Sequence, residues 1–197
     1  SMPIVPIPPT GDPSSYLEGQ LLVAMPSMGD PRFERSVIYI CAHNEDGAMG
    51  LVINKLADSI NFSALLEQLD ITSKESCDHI KVHFGGPVEA GRGFVLHTAE
   101  YLQESSLQVD DKVALTATMD ILKDIADGHG PKKSLLALGY AGWGPGQLDQ
   151  EIQSNGWLNV DADNDLLFDS DLAHKWEKSI AKIGIDISSL SATAGHA

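Results

Sequence analysis

The chain has 197 residues, with 28 acidic against 13 basic side chains and a formal net charge of −15. A surplus of that size repels a phosphate backbone at long range, so direct nucleic-acid binding would need a dense local basic patch, and Lys132-Lys133 is the only doublet that offers one. At 43% hydrophobic residues the composition is that of a globular protein, and no run approaches the roughly 20 apolar residues of a membrane helix.

Residues 2–15 hold five prolines, and residues 1–15 are expected to form a flexible tail. One domain is expected over 16–190, with a second short tail at 191–197. Leu21–Met25 reads as the first strand. Asp30-Pro31 suits a capped helical turn, with proline at the first helical position. "SVIYICAH" (36–43) and "AMGLVIN" (48–54) flank "NEDG", two apolar β-rich runs around an Asp-Gly turn, and so predict a hairpin. "FSALLEQL" (62–69) puts Leu65, Leu66 and Leu69 on one helical face.

"KVHFGG" and "GFVLH" read as two strands separated by "PVEAGR". Short strands follow near 105–116. "TMDILKDIADG" predicts a helix capped by Thr118 and ended by Gly128. An apolar run over 135–141 predicts a strand, then a glycine-rich turn, then a helix over 147–153. "WLNVD" reads as another strand. The last helix is expected over 171–183, with Leu172, Trp176, Ile180 and Ile183 on its buried face. Lys175, Lys178 and Lys182 answer its dipole, and Gly184 stops it. Hairpin-like pairs with irregularly placed helices predict a mixed-sheet α+β domain.

Four glycines fall between 139 and 146, in the strand-turn-helix layout that cradles phosphate. The spacing fails. From Gly142 the third required glycine is Gln147, and from Gly144 it is Asp149. "PKKS" lacks the glycine that a P-loop places before its lysine. Asp149 and Glu151 at the start of the following helix would also repel a phosphate. "DADND" (161–165) begins like a calcium loop but has Leu166 where glycine and Leu172 where glutamate are required, so it reads as an acidic turn. His79 and His83 share no third ligand at metal spacing, and no metal or cofactor is expected.

Cys41 and Cys77 form no redox or protease motif; Cys41 reads as a small buried hydrophobe, and the pair fits a reducing cytoplasm. No basic or apolar leader signals secretion, so a cytoplasmic location is expected. Ser36, His43, His97 and Glu100 could converge as a hydrolytic set, and Arg92, between two glycines, could clamp an anion or pin its loop through a salt bridge.

"FERSVIYICAHNEDGAMGLVINK", "HFGGPVEAGRGFVLH" and "LGYAGWGPGQLDQEIQSNGWL", in this order and spacing, resemble the YqgE/AlgH family of bacterial proteins. The resemblance implies an α+β fold in which a bifurcated, mixed sheet curls into a pseudo-barrel flanked by helices. It carries no established reaction, only a regulatory label. Its motif positions fall on His43, Gly47, Gly50 and Asn54; on Gly85, Gly86, Pro87, Arg92, Gly93 and His97; and on Gly139, Tyr140, Gly142, Trp143, Gly144, Gln147 and Glu151.

The leading expectation is a non-enzymatic protein that binds an unknown protein or small molecule and regulates indirectly. His43, Asn54, Gly85, Gly86, Arg92, His97, Tyr140 and Trp143 are its candidate binding residues. One alternative is a hydrolase or transferase using His43 or His97 with Arg92, which requires those side chains to surround one pocket. The other is a direct transcriptional regulator. Whether Trp143 seals the fold or faces a ligand is the question left for the structure.

Overall fold

A computed structural model describes residues 16–74, 77 and 80–184 of the chain. The two expected tails and His79 lie outside the described residues. Strands β1 (Gln20–Ala24), β2 (Val37–Asn44) and β3 (Gly47–Val52) come first, followed by helix α1 (Phe62–Gln68). Then come β4 (Val82–Phe84), β5 (Val88–Thr98), β6 (Leu107–Gln108), β7 (Val113–Thr116) and α2 (Met119–Ala126). The order closes with β8 (Ser134–Trp143), α3 (Gln147–Gln153), β9 (Trp157–Asp161), α4 (Asn164–Leu167) and α5 (Lys175–Ala181).

One sheet runs β6-β7-β5-β8-β3-β2-β1-β9, and every neighbour along it is antiparallel. The sheet divides at β8. Leu136–Leu138 have β5 on one edge and β4, running parallel, on the other. Ala141–Trp143 pair with β3 instead. The result is a mixed, bifurcated sheet curled into a half-barrel with helices around it, an α+β fold as the residue patterns and the resemblance imply.

Local chemistry explains most elements. Asp30 caps the turn at Pro31–Phe33 by accepting from the Arg32 amide at 3.0 Å. Asn61, Thr118 and Asp163 cap α1, α2 and α4 in the same way. The β2–β3 hairpin forms, but its turn is Glu45-Asp46, and the Asn44 side chain accepts the Asp46 amide at 2.8 Å. Gly47 already belongs to β3. It has φ +140°, and a Cβ there would overlap the Trp143 carbonyl, so close approach of β8 requires glycine, not the turn.

Three expectations are corrected. "PVEAGR" does not separate two strands; β5 starts at Val88, and 89–92 are an excursion between the pairs Val88–Tyr140 and Gly93–Leu138. The glycine-rich stretch after 138 is not a turn either, since β8 continues to Trp143 and only Gly144–Gly146 turn. The last helix is a 3-10 turn at Leu172–His174 followed by α5, and Lys175 opens α5 instead of answering its C-terminal dipole.

Two irregularities in strand phase set the cores. Register slips at Cys41, so Ile38 and Ile40 share one face with Ala48, whereas His43, not Ala42, joins that face. In β8, Leu135 and Ala137 face the interior, Gly139 turns left-handed at φ +77°, and Tyr140 faces the interior again. The interior core collects Tyr39, Leu51, Phe94, Leu96 and Leu115 under Trp176 and Ile180 of α5. Trp143, Leu148 and Trp157 build a second core beneath α3, and Phe62, Ile121 and Leu136 a third beneath α1 and α2.

Candidate functional site

The second and third motif blocks meet where β4 and β8 touch. A Cβ on Gly85 would overlap the Gly139 carbonyl, and one on Gly86 the Tyr140 backbone. These glycines let two backbones pass side by side. They carry no ligand group in this arrangement.

Beyond the contact, Trp143 ends β8 with its indole against Trp157, centroids 6.1 Å apart at 77°. Both indoles donate to one carboxylate oxygen, Glu151 Oε1, from 3.1 Å (Trp143) and 2.9 Å (Trp157). Gln147 Nε2 donates to the other oxygen at 2.7 Å, while Gln147 Oε1 accepts the Gly144 amide at 3.0 Å. One carboxylate thus ties α3, the end of β8 and the start of β9. Trp143 is 7% exposed and seals the fold. Glu151 serves this knot and not the helix dipole.

An open cleft of about 640 Å³ lies over the knot. Its walls are Pro87 and Val88 from the second block, Gly142, Trp143, Gln147 and Glu151 from the third, and Met28, Arg32 and Phe33 from the capped turn. Val88 is 37% exposed and offers an apolar rim. Arg32 is held by Asp30 at 2.7 Å, with both groups reaching solvent. The cleft is therefore apolar at its base, with side-chain amides and one accessible ion pair around it, a composition suited to binding.

The remaining expected site residues do not join it. Tyr140 is buried beside Phe94, and its hydroxyl donates to Glu89; burial, then that carboxylate, push its pKa up. Glu89 also meets Arg92 at 3.7 Å, the salt bridge that pins the 89–92 excursion. Asn54 accepts the Val37 amide and donates to the Arg35 carbonyl, both at 2.9 Å, and so fixes the approach to β2, where Arg35 has φ +54°.

His43 and His97 occupy different surroundings. His43 Nδ1 accepts the Leu17 amide at 3.0 Å, its Nε2 faces Asp149 at 3.7 Å, and Tyr16 packs edge-on. His97 Nε2 meets Thr116 Oγ1 at 2.7 Å, and Nδ1 meets the Thr98 carbonyl at 3.0 Å. Burial lowers both pKa values, Asp149 opposing the shift at His43 and the Thr98 carbonyl opposing it at His97. Ser36 is fully buried just before β2, and Glu100 accepts the Lys132 amide at the far end of β8. Neither the Ser36–His43–His97–Glu100 set nor the His–Arg92 pairing converges on one pocket, so the geometry required for the hydrolase or transferase reading is not met.

Residue patterning missed two features. Arg32 and Phe33 line the cleft, but only the Asp30-Pro31 cap was visible around them. Lys175 is completely buried, its Nζ donating to the Leu167 carbonyl at 2.9 Å and the Ile53 carbonyl at 3.4 Å. Burial pushes its pKa down to about 8. Among the described residues no group of three or more His, Cys, Asp or Glu side chains could hold a metal ion, and no helix is long and apolar enough to cross a membrane.

The architecture defines a class, a bifurcated and mostly antiparallel half-barrel held together at β8 by its motif residues. The chain belongs to the AlgH-like family (DUF179), whose model matches residues 21–188. A UPF0301 protein of Bradyrhizobium diazoefficiens is 56% identical over 200 residues, covering 98% of this chain and 92% of that protein. One from Rhodospirillum rubrum is 54% identical over 182 residues, covering 92% and 95%. The solution structure of the AlgH protein from Pseudomonas aeruginosa is 44% identical and superposes with a TM-score of 0.76 over 95% of this chain and 99% of that one. A Corynebacterium diphtheriae protein at 22% identity shares the fold, with a TM-score of 0.71 over 92% and 93% of the two chains.

Proposed function

We propose that this AlgH-like protein is a cytoplasmic binding protein without a reaction of its own, and that its recognition surface is the cleft above the Trp143–Glu151–Trp157 knot. One observation carries the reading: Pro87 and Val88 from one motif block, and Gly142, Trp143 and Gln147 from another, line the same cleft with Arg32 and Phe33. The family label of regulator then fits an indirect role, exerted through the occupant. The net charge of −15 supports a protein or small-molecule occupant over DNA. Free Cys41 and Cys77 suit a reducing compartment.

Val88→Asp tests the surface, because it places a charge on the apolar rim without touching the knot. A species captured from lysate by the wild-type chain should be lost by V88D and kept by the distant variant K112Q. Identical capture by V88D and wild type sinks the proposal. Trp143→Ala is the wrong probe, since it breaks the fold at the same place.

A further inference from the structure

At the other end of β8, Ser134 and Leu135 border a second cavity of about 420 Å³, within the range of small-molecule sites. We propose that this cavity binds a small phosphomonoester, its phosphate held by Lys81, Lys132 and Lys133 and its flat apolar body laid against Ile125, Leu135 and Phe168.

Charge is the first argument. The chain has 13 basic residues in an acidic background. Three of them line this cavity. Lys175 and Lys178 stand close behind, near enough that Lys81 and Lys178 both disfavour the charged form of Lys175. Gathering like charges is costly unless a counter-charge arrives. Among the described residues Lys81 and Lys132 have no ion pair within 4 Å; Glu100, outside the cavity lining, answers the Lys132 charge only from a longer distance, and the Lys81 ammonium is oriented by donating to the Ser170 carbonyl at 2.9 Å. Lys133 meets Asp165 at 3.6 Å, but that carboxylate is 98% exposed, so the pair is weak and displaceable. The one carboxylate in the lining, Asp169, is already engaged by Lys178 at 2.7 Å.

Geometry is the second. The loop leaving α2 turns at Gly128 (φ +79°), and Gly130 packs so tightly on Ile125 that a Cβ would approach its Cγ1 to 2.7 Å. That turn carries the lysine doublet to the rim. The Lys132 amide is taken by Glu100 at 2.8 Å, so no backbone cradle of the P-loop kind is available there. Recognition falls to ammonium groups, which act as compact point charges suited to phosphate; a carboxylate ligand would favour the planar fork of arginine. His83 forms a neutral wall, bonded to the Leu136 carbonyl at 3.1 Å. Ile125, Leu135 and Phe168 supply apolar surface opposite the charges.

Calorimetric titration with phenyl phosphate at low ionic strength tests the site. Phenyl phosphate should bind at least about tenfold more tightly than inorganic phosphate, and the double variant K132Q/K133Q should weaken it by about tenfold or more. Affinity should fall as salt rises, and K112Q should bind as wild type does. Both substituted lysines are exposed, so the double variant should unfold at the wild-type temperature. No binding at millimolar ligand, equal binding of both anions, or unchanged binding in K132Q/K133Q would each overturn the proposal.

Discussion

The two ends of β8 are built on opposite rules. At Trp143 the two indoles, the Gln147 amide and the Glu151 carboxylate are answered from within the chain, and that single carboxylate serves two indoles and an amide. At Ser134, about 30 Å away along the strand, charged side chains gather with few answers. The first end contains the most recognisable motif residues, and they are structural. The second has only His83 of the three motif blocks in its lining, and its chemistry is unfinished. At the first end the motif residues build a rigid floor on which a recognition cleft can rest, whereas at the second the lysines themselves are what a ligand would meet.

The sharpest way to break this contrast is at the knot. Trp143→Ala should cost about 3–5 kcal/mol in urea denaturation, the range for truncating a buried tryptophan. Glu151→Gln should cost about 1–3 kcal/mol, because a carboxamide offers one oxygen to three donors. If either variant unfolds at the wild-type midpoint, the knot is not structural.

Lys175 comes next. Lys175→Met leaves the Ile53 and Leu167 carbonyls without their donor, for a loss of about 1–3 kcal/mol at pH 7. Its pKa lies near 8 in the fold against an ordinary 10.5. Between those values the unfolded chain holds the extra proton, so wild-type stability should rise with pH relative to the variant. A difference that stays flat from pH 8 to 10.5 would show that the ammonium is not desolvated.

A smaller effect is expected at His43, whose Nδ1 must be unprotonated to accept from Leu17. Burial holds its pKa below the ordinary value, so the contribution is present above about pH 6.5 and lost as pH falls. Between pH 7.5 and 5 the wild type should lose about 1 kcal/mol more than His43→Ala, read from denaturation midpoints. The smallest is V88D, which should change stability by less than about 0.5 kcal/mol while abolishing capture. A large loss of stability there would move Val88 from the recognition surface into the scaffold.

Elements with local causes are legible in the sequence. The β2–β3 hairpin, the Thr118-capped helix and the 147–153 helix depend on turns, caps and apolar spacing within a few residues. What stayed hidden depends on partners far along the chain. Gly139, Gly142 and Gly144 look alike in sequence, yet the first reverses the phase of a strand, the second lies within it and the third begins the turn. Spacing placed Lys175 with the other lysines of its helix, although the carbonyls that hold it come from β3's exit and α4. Trp143 was recognisable as important, but only the positions of Trp157 and Glu151 decide that it points inward. The charged cavity was visible only as an unexplained Lys132-Lys133 doublet.

The slip at Cys41 has a consequence for how this chain can vary in length. Strand β2 is out of step with itself: before that residue odd numbers face the interior, and after it even ones do. In a strand of the same length without the slip, Ala42 would stand opposite Ala48 and His43 would turn into the apolar interior, away from Leu17 and Asp149. Deleting Cys41 instead would restore ordinary alternation and leave Ala42 opposite Met49 and His43 opposite Ala48. The strand can therefore shorten by one residue at the slip and keep every later pairing, whereas the same loss between Ala42 and Asn44 would turn the hairpin end to the wrong face.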